Sequence, residues 1–162
     1  RSTGLTAALV IAERLCAPGG VYVATATPGD HEMAERIRRH RARRGPSWTT
    51  IEEPLDLAGV LRAAVPGRPL LVDCLTLWLA NVMGAGRDIA AESAALIEAL
   101  AAAAAPVVLV ANEVGLGIVP ETPLGRRFRD EAGQLNQTIA AVADRVVLVV
   151  AGLPLVLKEP AP

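Results

Sequence analysis

Leu70-Leu71-Val72-Asp73 is a run of aliphatic residues that ends on a carboxylate, and helical spacing resumes at once over residues 75–82. A segment that is apolar at every position, rather than at alternate ones, reads as a strand covered on both faces. Working outward, the same pattern returns at residues 107–111 and 146–150 and, more briefly, at Val21-Tyr22-Val23-Ala24-Thr25. A further extended piece is expected at residues 48–51. Helical spacing is expected over residues 5–15, 30–44, 56–65, 75–82, 88–104 and 124–143. Asp30 is placed to cap the second of these, and Ala17-Pro18-Gly19-Gly20 and Gly45-Pro46 act as stop signals. The alanine-rich stretch 90–105 is read as an amphipathic helix because Glu92, Leu96, Ile97, Glu98 and Leu100 punctuate it.

Strands alternating with helices predict an α/β fold, a mostly parallel sheet with helices on both faces. Ligands in such sheets bind beyond the carboxyl ends of the strands. That rule singles out residues 24–27, 73–76 and 112–117.

The 162 residues fit one domain spanning 1–162, large enough to bury about 70% of its unfolded surface. Hydrophobic residues are 52% of the chain and aromatics only 2%, so a core of small aliphatic side chains is expected rather than one of rings. Sixteen basic residues against 17 acidic ones leave a net charge of −1. No global attraction to nucleic acid or to an anionic membrane follows, and neither is expected as a partner. Cys16 and Cys74 match no metal-ligand spacing and are read as buried free thiols in a reducing compartment. No signal peptide is read, and the apolar runs 99–111 and 146–157 are broken by Pro106 and Pro154. Both are shorter than the roughly 20 residues that span a bilayer. The expected location is the cytoplasm.

Four segments carry residues suited to chemistry. Arg1-Ser2-Thr3-Gly4-Leu5-Thr6 precedes a helix, with Gly4 and Thr6 at phosphate-loop spacing and Leu5 where such a loop has its lysine. An ordinary helix start is the alternative. Asp73 closes a strand, as a magnesium-side carboxylate does, or caps the following helix.

In Arg36-Ile37-Arg38-Arg39-His40-Arg41-Ala42-Arg43-Arg44, six arginines surround one of only two histidines, His31 and His40. A solvated basic helix face is one reading. RNA binding lacks the interleaved aromatics that stack bases. A polyphosphate docked on the guanidinium groups is the third. Crowding by arginines favours neutral His40, and a neutral imidazole beside a triphosphate can attack the α-phosphorus and expel pyrophosphate. The fourth segment is Asn112-Glu113-Val114-Gly115-Leu116-Gly117-Ile118-Val119-Pro120. There Glu113 either orients magnesium or accepts a hydroxyl proton, or the stretch is only a loop before the next helix. Arg126, Arg127, Arg129, Asp130 and Asn136 either line a site or face water.

Taken together, several blocks resemble the bifunctional adenosylcobinamide kinase and adenosylcobinamide-phosphate guanylyltransferase family. They are Val21–Thr25, Glu32-Met33-Ala34-Glu35-Arg36-Ile37 running into His40, Trp48, Val72-Asp73-Cys74-Leu75-Thr76 and the Asn112–Pro120 stretch. Phe128-Arg129-Asp130, Leu135-Asn136-Gln137 and Leu148-Val149-Val150-Ala151-Gly152 also fit, so the likeness runs from about residue 21 to the terminus. The resemblance implies a P-loop NTPase-like (RecA-like) domain that assembles as a homotrimer.

The same likeness implies phosphorylation of adenosylcobinamide with ATP or GTP, then GMP transfer from GTP to adenosylcobinamide phosphate, with Mg2+ throughout. It makes His40 the guanylylated nucleophile. It puts nucleotide at Ser2, Thr3, Gly4, Leu5 and Thr6, at Ala24, Thr25 and Ala26, at Arg41, Ala42, Arg43 and Arg44, and at Glu52 and Asp73. Thr6 and Asp73 are the implied magnesium-side residues. Family members begin with a strand and a Gly-Gly-Ala-Arg-Ser-Gly-Lys-Ser loop. This chain starts within the loop, so the first strand and part of the loop are expected to be missing and the kinase step to be the weaker half. The alternatives are a guanylyltransferase without kinase activity and a non-catalytic nucleotide-binding module.

Overall fold

A computed structural model of the chain describes residues 19–27 and 48–160. The helices expected at 5–15 and 30–44, with Asp30 as a cap, lie outside the described residues, as do Cys16 and His31. The described residues group into two compact units, 19–27 with 48–112 and 113–160.

The first unit is built on a four-stranded sheet. Its strands are β1 (Val21–Ala24), β2 (Thr49–Glu52), β3 (Leu70–Asp73) and β4 (Val107–Val110), in the order β2-β1-β3-β4. Every pairing is parallel. The continuously apolar runs occupy the interior of the unit: Val21, Tyr22, Val23, Leu70, Leu71 and Val72 are all buried. This is the α/β arrangement with a parallel sheet that the alternation of strands and helices predicts.

Three helices belong to this unit. Helix α1 (Leu57–Arg62) is capped by Asp56, whose carboxylate accepts from the Gly59 amide at 2.8 Å. It is shorter than the expected 56–65, because Pro66 and Gly67 follow and Gly67 takes a φ of 74°. Helix α2 (Leu75–Gly84) follows β3 directly. Helix α3 (Ile89–Ala101) starts at Asp88, which accepts from the amides of Ala90 and Ala91. Helices α1 and α3 pack together, with Leu57, Leu61, Leu96 and Ala99 buried. Each fully buried leucine contributes about 1.5–3 kcal/mol. The core is largely aliphatic, as composition implies, but its largest fully buried side chain is a ring, Trp78 on α2. Its indole N–H donates to the Leu55 carbonyl at 2.8 Å, which satisfies the one polar atom such a ring brings inside.

The second unit contains α4 (Pro123–Val142), β5 (Val146–Val150) and β6 (Leu153–Lys158). Thr122 caps α4 by accepting from the Gly125 amide, with Pro123 in the first turn. The strand expected at 146–150 forms, but it does not join the parallel sheet: it pairs antiparallel with β6, which the sequence reading missed. Two signals hid that hairpin. Its two-residue turn is Ala151-Gly152, both at positive φ (52° and 80°), without the asparagine or aspartate that usually marks such turns. The second strand also contains Pro154, which reads as a breaker but is tolerated where its missing N–H is not needed. Lys158 then donates to the carbonyls of Ala140 and Ala141 in the last turn of α4, at 3.1 and 2.9 Å.

Candidate functional site

Parallel pairing sets the register at the carboxyl edge of the sheet. Ala24 is the partner of Glu52 on one side and of Asp73 on the other, and Asp73 is the partner of Val110. Glu52, Ala24 and Asp73, scattered in sequence, therefore stand in one row at the strand ends. Three of the candidate nucleotide residues are brought together in this way. Thr25 and Ala26 continue from the same row.

Asp73 is half-buried, and its carboxylate accepts a hydrogen bond from the Tyr22 hydroxyl. Tyr22 pairs with Leu71, so it is a diagonal neighbour of Asp73 on the same face of the sheet, within reach of a long side chain. The alternative reading of Asp73 as a helix cap is overturned. The residue at the cap of α2 is Cys74, which makes no side-chain capping bond, and the Asp73 side chain turns to Tyr22 instead.

Thr25 is the one fully buried polar side chain among the described residues. Its hydroxyl donates to the Cys74 carbonyl and accepts from the Cys74 amide, both at 2.8 Å. The Thr25 amide donates to the Asp73 carbonyl at 3.1 Å. The Cys74 thiol is free and buried, as the sequence suggests. Burial pushes its pKa up, and the adjacent Asp73 carboxylate pushes the same way.

Helix α2 ties the loops at this edge together. The Thr76 hydroxyl accepts from the Asn112 amide at 2.7 Å, fixing the exit from β4. The Trp78 indole holds Leu55 in the turn after β2. Asn81 donates from its side-chain amide to the carbonyls of Thr25, at 2.8 Å, and Pro54, at 3.1 Å. Within the turn after β2, the Glu53 carboxylate accepts from the amides of Leu55 and Asp56, and the Glu53 amide donates to the Ala24 carbonyl at 2.9 Å. Sequence reading missed Tyr22, Trp78 and Asn81 as contributors to this edge. Each looks like an ordinary strand or helix residue until the fold gives it a partner at least 23 positions away.

Among the described residues no three His, Cys, Asp or Glu side chains gather as metal ligands. Asp73 offers a single carboxylate. That set fits a magnesium ion, which binds through one or two carboxylates and takes its remaining oxygens from water and substrate phosphate.

The remaining candidates fall elsewhere. His40, Arg41, Ala42, Arg43, Arg44, Ser2, Thr3, Gly4, Leu5 and Thr6 lie outside the described residues. In the second unit the exposed Glu113 accepts from the Gly115 amide at 2.7 Å. Arg126 donates to the carbonyls of Pro120 and Glu121, and Arg127 and Arg129 pair with Glu131 and Asp130. A cavity of about 350 Å3 between β1, β2 and α1 is lined by Val21, Ile51, Val60, Arg68 and Leu70 among others, and by none of the candidate site residues. Arg68 there donates to the Gly19 carbonyl and to the Thr49 hydroxyl. No helix among the described residues is long and apolar enough to cross a membrane.

Comparison with known proteins gives a consistent result. The family described as cobinamide kinase / cobinamide phosphate guanyltransferase matches residues 6–157. The bifunctional adenosylcobalamin biosynthesis protein CobP of Pseudomonas aeruginosa is 51% identical over 154 residues, covering 91% of this chain and 89% of that protein. The bifunctional adenosylcobalamin biosynthesis protein CobU of Escherichia coli is 40% identical over 154 residues, covering 85% of each chain. Its namesake in Salmonella typhimurium is 40% identical over 158 residues, covering 88% and 87%. With a parallel α/β sheet that gathers Ala24, Glu52 and Asp73 at its carboxyl edge, and with relatives this similar over nearly their whole length, the chain belongs to the cobinamide kinase / cobinamide phosphate guanyltransferase family.

Proposed function

We propose that this enzyme of adenosylcobalamin biosynthesis performs two successive transfers. It phosphorylates adenosylcobinamide with ATP or GTP, then moves GMP from GTP onto adenosylcobinamide phosphate. In the second reaction an imidazole nitrogen of His40 attacks the α-phosphorus of GTP. The bond from that phosphorus to the bridging oxygen breaks, and pyrophosphate leaves. A phosphate oxygen of adenosylcobinamide phosphate then attacks the guanylyl phosphorus. The P–N bond breaks, adenosyl-GDP-cobinamide forms and His40 returns neutral.

The single observation that carries this reading is the row Glu52–Ala24–Asp73 at the carboxyl ends of three parallel strands, the position where α/β sheets bind ligands. Asp73 is the carboxylate for Mg2+, which would offset the charge of the triphosphate when bound. Ala24 and Ala26 face the nucleotide, and Thr25, buried between them with its amide held by Asp73 and its carbonyl by Asn81, keeps that stretch in place. Ser2, Thr3, Gly4, Leu5, Thr6 and Arg41, Ala42, Arg43, Arg44 complete the phosphate contacts, with Thr6 as the second magnesium-side residue. The enzyme works in the cytoplasm, where its nucleotide substrates are, and as a homotrimer. Light scattering on the eluting protein tests the trimer.

Intact-mass measurement after incubation with GTP and Mg2+ tests the reaction. The wild type gains one GMP as an acid-labile, alkali-stable adduct, and His40→Ala gains none. A full-yield adduct on His40→Ala overturns the assignment. Leu5, at the position of the phosphate-loop lysine, favours a second reading in which only GMP transfer survives. Separate assays on adenosylcobinamide and on its phosphate decide between them: turnover of the phosphate alone supports the second reading.

A further inference from the structure

Among the described residues, the turns leaving β1 and β2 are joined by a backbone hydrogen bond from the Glu53 amide to the Ala24 carbonyl and by the side chain of Asn81. Asn81 stands on α2, 56 residues from Thr25 and 27 from Pro54 along the chain, and donates to both carbonyls. Both acceptors are backbone carbonyls, so only the amide nitrogen, with its two hydrogens, suits that end of the side chain. No other natural side chain of this length presents two donors from one atom without a charge. Trp78, one turn earlier, holds only the Leu55 carbonyl. Asn81 is therefore the residue that links the two turns, and those turns continue directly from the Glu52–Ala24 pair.

We propose that Asn81 is a positioning residue for the nucleotide: its amide clamps the turn after β1 to the turn after β2 and holds Ala24, Thr25, Ala26 and Glu52 in the arrangement that receives GTP. This rests on the reading of that edge as the nucleotide site. A prearranged backbone edge lowers the cost of ordering on binding, so its loss weakens nucleotide affinity rather than the maximal rate. Asn81 does not touch substrate in this account; it acts through Thr25 and Pro54.

Asn81→Asp tests the proposal, because it keeps the side chain's size and sets a carboxylate oxygen against two carbonyls. The concentration of GTP giving half-maximal guanylylation should rise about tenfold, with the maximal rate changed by less than about threefold. Calorimetry should show the Kd of a non-hydrolysable GTP analogue rising by the same factor, while the KM for adenosylcobinamide phosphate stays near that of the wild type. An unchanged GTP dependence in folded Asn81→Asp overturns the proposal, as does a loss of maximal rate with GTP dependence intact. Should that variant not fold, Asn81→Ala is read by the same criteria. A wild type that binds the analogue but forms no adduct sinks the His40 reaction and leaves the calorimetric test of Asn81 standing. A wild type that binds no analogue removes both.

Discussion

The Thr25 hydroxyl lies 2.8 Å from both the amide nitrogen and the carbonyl oxygen of Cys74, so one side chain satisfies both backbone groups of the residue that follows Asp73. In Thr25→Val the shape is kept and the Cys74 amide loses its partner, while the Cys74 carbonyl keeps the Trp78 amide at 3.1 Å. A loss of about 1–3 kcal/mol in unfolding free energy is expected, with Thr25→Ser keeping most of the stability. Denaturant unfolding of the three proteins checks this. Equal stability of Thr25→Val and wild type would show that water replaces the hydroxyl.

Under the proposed role of Asp73 toward Mg2+, substitutions at Asp73 and Tyr22 separate binding of the metal from orientation of the carboxylate. Asp73→Asn keeps an acceptor for the Tyr22 hydroxyl but removes the charge offered to Mg2+, so kcat should fall about a hundred- to a thousandfold with little change in fold. Tyr22→Phe leaves the carboxylate and frees its orientation, and should raise the Mg2+ concentration for half-maximal rate about tenfold. Magnesium titrations of guanylylation distinguish the two effects.

The buried Cys74 thiol gives the stability a defined dependence on pH. Desolvation, with the Asp73 charge adding to it, holds the folded thiol above the ordinary value of 9.0. The folded state thus keeps a proton that the unfolded chain releases. Its contribution is complete below the unfolded value and is lost as pH rises toward the folded one. Wild-type unfolding free energy should therefore fall more steeply than that of Cys74→Ala from about pH 8 to pH 10. The same burial predicts slow alkylation by iodoacetamide in the native protein and rapid alkylation in denaturant.

Ala151 occupies the left-handed region, with a φ of 52°, at the first position of the β5–β6 turn. A side chain with a Cβ carries a cost there that glycine avoids and asparagine partly offsets. Ala151→Gly and Ala151→Asn should each raise stability by about 0.5–1 kcal/mol. Thermal unfolding measures the gain, and a lower midpoint for both would contradict the turn geometry.

By itself the sequence determined the parallel strands of the first unit, the α/β class and the segments at the strand ends. Continuous apolar runs at 21–24, 70–72 and 107–110 mark strands, and the helical segments between them point to the crossover connections of a parallel sheet, a one-dimensional pattern that needs no knowledge of partners. The resemblance also identified Ala24, Glu52 and Asp73 as candidates. Only the tertiary structure decided that these three share one register row, that Asp73 turns to Tyr22 rather than capping α2, and that Val146–Val150 leaves the parallel sheet to pair with β6. Only the fold revealed Asn81, because a hydrogen bond to a carbonyl 56 residues away leaves no periodicity or spacing in the chain. Local patterns record which face of an element is buried; which distant groups meet across that burial is set by packing.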